Sequence, residues 1–267
     1  LKRIARIIRR FEFLSIKWFV PLANSSSILS TCLITHSIHL TQKTMNAIRI
    51  TCITLFSLSM LLSAQAEKKA SWISLFNGKD LSEFKGYKKE KPGNAWVAQD
   101  GAIKLLKEKG KSGGDLMTRE QYEFFELQLE WKLPKPGNSG IIYRVAETDG
   151  PSYKTGPEVQ IFHTMRVGGK TDTGSCYALY APKVANLKPI GEWNSVRLII
   201  KPGNKVEHHM NGQLLCSYQI GSKDWKEKVS QSKFKNWDKF GKIDKGHICF
   251  QDHGNEVWFR NVRIRKL

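Results

Sequence analysis

The segment Phe125-Glu126-Leu127-Gln128-Leu129-Glu130-Trp131-Lys132-Leu133 alternates apolar and polar residues without a break. A period of two puts the apolar side chains on one face of an extended strand and the polar ones on the other. The run is therefore a strand with one packed face and one wet face, and a helix through it would bury half its charges. The same logic recurs through residues 67–267, which are punctuated by Asn77-Gly78, Pro92-Gly93-Asn94, Asp100-Gly101, Pro136-Gly137-Asn138, Pro202-Gly203-Asn204, Asn211-Gly212 and Gly254-Asn255. Short alternating strands between regularly spaced turns describe an all-β sandwich or barrel. Trp193–Tyr218 reads as a meander, with strands at Ser195–Lys201, Val206–Met210 and Gln213–Tyr218. A single helix is expected around Lys223–Gln231, where Trp225 and Val229 are four apart. Residues 67–267 contain no repeat or low-complexity segment and read as one domain.

The last strand carries a conflict of parity. Val257 and Phe259 share one face, whereas Val262 and Ile264 have the other parity. Both pairs reach the core only if one residue is inserted, so a β-bulge is expected near Arg260–Asn261.

The N-terminal part has another character. Met45 opens MNAIRITCITLFSLSMLLSAQA, with Arg49, an apolar run from Ile50 to Leu62, and Ala64-Gln65-Ala66. Residues 45–66 thus read as a signal peptide with an A-x-A cleavage site, and the expected location is periplasmic or secreted. The apolar run is short of the ~20 residues of a membrane span, so no stable membrane insertion is expected after cleavage. Residues 1–44 lie upstream of that signal, begin with Leu, and read as a start-site artefact outside the fold.

Those segments also bear on charge. Seven Lys/Arg and one Glu in residues 1–44, with Arg49, account for seven of the +19 formal charges, leaving +12 on residues 67–267. The remaining lysines are dispersed and interleaved with Glu, as in Lys226-Glu227-Lys228. No Arg-rich helix or aromatic-studded basic stripe of a nucleic-acid binder is present. Cys176, Cys216 and Cys249 each sit among apolar strand residues and read as three buried small hydrophobes. No Cys/His spacing suggests zinc.

Polar groups able to act on a ligand recur inside strand-like segments. Arg144 ends NSGIIYR (Asn138–Arg144), two positions from Ile142 and so on its face. Its planar fork suits a carboxylate, a pair of hydroxyls or an oxyanion, or it pairs structurally with a Glu. Glu158 and Gln160 in GPEVQIF (Gly156–Phe162) share a face, with Val159 and Ile161 on the other. Glu158 is either a general base or the ion-pair partner of an Arg such as Arg144. Gln251 and His253 also share a face, and Gly254 lets the chain turn and present the His253 ring. Histidine is the commonest acid/base group near neutrality. Convergent Arg, Glu, Gln and His on a sheet point to a polar ligand such as a sugar. The tryptophans at 96, 131, 193, 225, 237 and 258 supply core, with a sugar-stacking platform among them as the alternative use.

Taken in order, WISLFNGKDLSEFKGY (Trp72–Tyr87), GGDLMTREQYEFFELQLEW (Gly113–Trp131), GNSGIIYR (Gly137–Arg144), GPEVQI (Gly156–Ile161), TGSCYALYAP (Thr173–Pro182), GEWN (Gly191–Asn194), HHMNG (His208–Gly212), SKF (Ser232–Phe234) and QDHG…V-x-FRN (Gln251–Asn261) resemble the 3-keto-disaccharide hydrolase family. The resemblance spans nearly all of residues 67–267. It implies a concanavalin/laminin-G-like jelly-roll of two curved antiparallel sheets, acting on glycosides whose C3 hydroxyl is oxidised to a ketone. A C3 ketone acidifies the C2 proton and makes the C1 substituent a β leaving group, so C2 proton abstraction followed by elimination at C1 cleaves the glycoside. Carried onto this sequence, the resemblance implies Glu158 or His253 as base and Arg144 as oxyanion binder. Gln160, Gln251, Arg260 and Tyr143 complete the expected substrate contacts. Some relatives use a divalent metal, for which Glu158 and His253 would be ligands, but the Asp-Asn pair of many relatives is replaced here by Phe162-His163-Thr164. A separate C3-oxidising dehydrogenase is implied as pathway partner.

Two rival functions share the fold. A lectin-like carbohydrate-binding module needs aromatic platforms and amides but no base. A retaining glycosidase needs two carboxylates ~5–5.5 Å apart, and only Glu158 stands in such a context. No G-x-S-x-G elbow and no phosphate or dinucleotide fingerprint is present.

Overall fold

The computed structural model describes residues 71–110, 113–164, 166–184 and 186–267. The expectations for residues 1–44 and 45–66 concern residues outside these. In chain order the described residues form β1 (Ile73–Ser74), β2 (Phe84–Gly86), β3 (Trp96–Gln99), β4 (Ala102–Leu105), β5 (Leu116–Thr118), β6 (Phe125–Lys132), β7 (Asn138–Val145), β8 (Glu158–Phe162), β9 (Asn194–Lys201), β10 (Lys205–Met210), β11 (Gln213–Gln219), α1 (Lys223–Ser230), β12 (His247–Phe250) and β13 (Val257–Lys266). A 3-10 turn at Ser152–Lys154 precedes β8.

The strands form two antiparallel sheets. The larger runs β11-β10-β9-β6-β13-β4-β3, with β1 also on β13, and the smaller runs β2-β5-β12-β7-β8. The expected jelly-roll sandwich is present. Alternation sorts the side chains as anticipated: Phe125, Leu127, Leu129 and Trp131 of β6 are buried against Ile141, Tyr143, Ile161, Ile248 and Phe250 of the smaller sheet. Phe250 stacks on Phe259 at 4.5 Å between ring centroids, joining the two sheets at the middle of the core.

The bulge in β13 lies where parity requires it. Register against β6 shifts between Arg260 and Arg263, and Asn261 takes φ +53°. Val257, Phe259, Val262 and Ile264 are thereby all buried. The meander β9-β10-β11 and the helix α1 lie as expected, the helix capped by Ser222, whose Oγ accepts from Trp225 N at 3.1 Å. The three cysteines of the described residues are free and buried. Among the described residues no helix is long and apolar enough to cross a membrane.

Candidate functional site

The site is built on the face of the smaller sheet that points away from the core. In β8, Val159 and Ile161 are buried in the core, so Glu158 and Gln160 point outward. Their neighbours across the register are Ile142 and Gly140 of β7. Gly140 is indispensable to this packing: a Cβ there would stand 2.1 Å from Glu158 Oε1. The Glu158 carboxylate therefore lies across a strand that offers it no side chain. On the other flank, Gln251 N donates to Gly140 O at 2.9 Å, and Ser139 Oγ donates to Gln251 O at 2.8 Å. These bonds prolong β12 by one residue and set Gln251 on the outward face, with His253 beyond it.

The roof comes from the chain that follows α1. Trp225 of the helix is buried and stacks on Phe240 at 6.0 Å, and Phe240 stacks on Phe234 at 4.1 Å. Trp237 meets Phe234 edge-on and Tyr153 at 5.8 Å. Gly241 N donates to Thr155 O at 2.8 Å, tying the roof to the turn that carries Tyr153. Between floor and roof lies a cleft of about 360 Å³, lined by Asn138, Glu158, Gln160, Gln251 and His253 with Tyr153, Tyr177, Lys233, Phe234, Trp237 and Phe240. One carboxylate, three amides and a ring of aromatic faces form the chemistry of a site that stacks and hydrogen-bonds a sugar.

Glu158 is the titrating centre of this cleft. Burial raises its carboxyl to about 8, opposed by the positive charge of Lys233 and reinforced by Asp115. With its amide turned so that nitrogen faces oxygen, Gln160 donates to Glu158 Oε1 at 2.9 Å. Asp115, whose carboxyl is itself raised by burial, anchors the rim. Its Oδ1 accepts from Asp252 N at 2.9 Å and its carboxylate accepts from Ser152 Oγ, so it holds together the turns bearing His253 and Tyr153. Asp252 secures the same turn by accepting from Gly114 N and Gly254 N.

Four expected residues thus converge: Glu158, Gln160, Gln251 and His253. Three others are elsewhere. Arg144 does not share a face with Ile142, because β7 bulges where His247 and Ile248 oppose Val145 and Tyr143, and Arg144 takes φ +55°. Its guanidinium, 1% exposed, turns away from the cleft to donate to Asn204 Oδ1 at 2.9 Å and Glu123 O at 3.2 Å, over the ring of Phe124. No ion pair joins it to Glu158. Tyr143 points into the core, where its hydroxyl meets that of Tyr218, which is 2.9 Å from His208 Nε2. Arg260 belongs to the other sheet: it pairs with Glu130 at 2.5 Å and lies 4.0 Å over the Trp193 ring. Arg144→Met is therefore expected to cost roughly 2–3 kcal/mol of stability, since it removes two buried charge-assisted hydrogen bonds. Turnover by the folded protein should stay unchanged, as denaturant titration and kcat measured side by side would show.

Asn138, Asp115, Lys233 and the aromatic roof were not read as site residues from the sequence. Lys233 and Phe234 lie in the SKF run, Asp115 in GGDLM and Asn138 in GNSGIIYR, and Trp237 is one of the tryptophans offered as a stacking platform, but no role in the site was read for any of the others. A larger groove of about 830 Å³ crosses the outer face of the larger sheet. Its carboxylate Glu130 is paired with Arg260 and accepts from Asn261, and Arg263 donates to the amide oxygen of Gln128. The buried, unneutralised carboxylate favours the smaller cleft as the reactive one. Among the described residues no three His, Cys, Asp or Glu side chains gather to hold a metal ion. A hard divalent cation bound here would have Glu158 as its one carboxylate, with His253, the amide oxygens of Asn138, Gln160 and Gln251, and water to complete its shell.

The chain matches the model of the 3-keto-alpha-glucoside-1,2-lyase-like domain over residues 71–265. A 3-keto-disaccharide hydrolase of Bacteroides thetaiotaomicron is 34% identical over 229 residues, covering 73% of this chain and 78% of that protein. The crystal structure of a candidate glycosyl hydrolase from Parabacteroides distasonis superposes with a TM-score of 0.68 at 33% identity, over 74% of this chain and 94% of that one. A second such structure from the same organism, at 24% identity and a TM-score of 0.58, shares the fold. The family model spans the strands, the cleft and the roof alike, and this chain belongs to the 3-keto-alpha-glucoside-1,2-lyase-like domain family.

Proposed function

We propose that this protein cleaves 3-keto-glycosides, with Glu158 removing the C2 proton and the C1 substituent leaving by elimination, with or without later addition of water. The observation that carries the reading is a single buried carboxylate raised to about 8 in an otherwise amide- and aromatic-lined cleft. A retaining or inverting glycosidase needs a second carboxylate across the scissile bond, and none lines this cleft among the described residues. Proton abstraction next to a ketone needs one base of high proton affinity, which burial supplies. The relative named as a 3-keto-disaccharide hydrolase supports the substrate class.

In this reading Asn138, Gln160 and Gln251 bind sugar hydroxyls, and His253 at the open rim serves the departing group. The ketone is made beforehand by a separate C3-oxidising dehydrogenase, and an exported, periplasmic or secreted location is part of the proposal. The test is a pH–rate profile on a 3-keto-glucoside. Glu158 acts as a base only when ionised, and its folded value lies near 8. kcat/KM should therefore rise about tenfold per pH unit below 8 and level off above it. A profile that is flat across pH 8, or that falls there, would contradict the assignment.

A further inference from the structure

The proposed elimination places negative charge on the C3 oxygen, and with Arg144 and Arg260 both turned elsewhere we propose that Lys233 is the catalytic cation that takes it. This inference rests on the reaction proposed above. Among the described residues lining the cleft, Lys233 is the one lysine or arginine. Its ammonium is held by rings and by no carboxylate among the described residues: Nζ lies 4.3 Å from the ring centroid of Tyr177 and 5.4 Å from that of Phe234. Tyr177 N in turn donates to Glu158 O at 3.0 Å, which ties the ring under Lys233 to the strand residue that bears the base. Aromatic faces hold a cation in place without neutralising it, leaving its charge available to an incoming oxygen. A lysine ammonium is a compact point charge, suited to one oxygen where an arginine fork suits two. Its charge is also the chief influence that lowers the proton affinity of Glu158, which places it within electrostatic reach of the base.

The step balances without any redox partner. The C2–H bond breaks, the proton passes to the Glu158 carboxylate, and the electron pair moves onto the C3 oxygen, where Lys233 neutralises it. The pair then returns to re-form the C3 carbonyl as the C1–C2 double bond forms. The C1–O bond breaks, and the leaving oxygen departs with its electrons and takes a proton from His253 or water.

The experiment compares the full-length wild type, Lys233→Met and Lys233→Arg on a 3-keto-glucoside across pH, with solvent deuterium incorporation at C2 followed in parallel. Lys233 is exposed, so neither substitution disturbs the core, and melting curves of the variants provide the check. Lys233→Met should lose about 10²–10³-fold in kcat and in C2 exchange, as expected when one oxyanion donor is removed, with KM little changed. Its pH limb should move upward, because the charge that favours the Glu158 carboxylate is gone. Lys233→Arg should recover most of the loss and return the limb. A Lys233→Met variant with wild-type kcat and an unmoved limb, alongside a wild type that cleaves the keto substrate, would overturn the Lys233 role and leave the reaction standing. A wild type that leaves the keto substrate untouched would overturn both.

Discussion

Glu158→Gln is expected to lower kcat on a 3-keto-glucoside by about 10²–10⁴-fold, the range for loss of a positioned general base. The same change should stabilise the protein in alkaline solution. The Glu158 carboxyl titrates at about 8 in the folded chain against an ordinary value of 4.5, because burial penalises its charged form. A raised folded value gives stability that is complete below the unfolded value and is lost as pH rises through the folded one. The wild type thus forfeits stability between pH 4.5 and 8, at a limiting rate of about 1.4 kcal/mol for every pH unit crossed. Glutamine carries no charge at any of these pH values and fills nearly the same space. The melting temperatures of the two proteins should therefore nearly coincide at pH 4 and separate by several degrees by pH 8–9, the variant higher. Turnover and thermal melts on one set of samples check both halves. A gap in melting temperature that does not change with pH would contradict the buried, raised carboxyl.

Gly140→Ala is the second change with a large expected effect, and it leaves every reacting group chemically intact. Gly140 lies opposite Gln160 in the β7–β8 register. An added Cβ would stand 2.1 Å from Glu158 Oε1 and 2.7 Å from its Cδ, inside any tolerable contact. The strand beneath cannot yield, because Ile141, Val159 and Ile161 are packed in the core. The carboxylate must swing toward the aromatic roof, away from the position that β7 now keeps open. A misplacement of about 1 Å at a catalytic group costs on the order of 10²-fold in rate. Gly140 does not have a positive φ, so alanine is compatible with its backbone and stiffens the unfolded chain by about 0.4–1 kcal/mol. The expected variant is folded, less stable than the wild type by about 1–3 kcal/mol because of the crowding at Glu158, and nearly inactive. Wild-type kcat in that variant would mean that Glu158 does not act from the place it occupies.

The fold was legible because its signals are local. Alternation over Phe125–Leu133 and paired turns around β10 needed no tertiary information, and even the β13 bulge was forced by the parity of Val257, Phe259, Val262 and Ile264. Glu158 with Gln160, and Gln251 with His253, were legible for the same reason: two residues apart on a strand share a face. Parity failed at Arg144 because β7 contains a bulge of its own, and a non-glycine residue with positive φ leaves no mark in the sequence. It failed differently at Arg260, whose outward orientation is real but belongs to the other sheet, since periodicity says nothing about which sheet a strand joins. Tyr143 illustrates a third limit. The resemblance put it among the substrate contacts, whereas its hydroxyl meets that of Tyr218 inside the core, beside His208. The roof was hidden because Phe234, Trp237 and Phe240 meet Glu158 only through long-range packing. The same holds for Asp115, which joins two turns that are remote in sequence.

On this account the cleft removes a proton that only a C3 ketone makes acidic. The most direct test is to incubate the full-length protein with a 3-keto-glucoside and with its unoxidised parent, following aglycone release from each. Release from the keto form alone, abolished by Glu158→Gln, is the predicted result. Equal release from both would indicate ordinary glycoside hydrolysis. Release from neither, with saturable sugar binding, would make the cleft a carbohydrate-binding site without catalysis and would contradict the account.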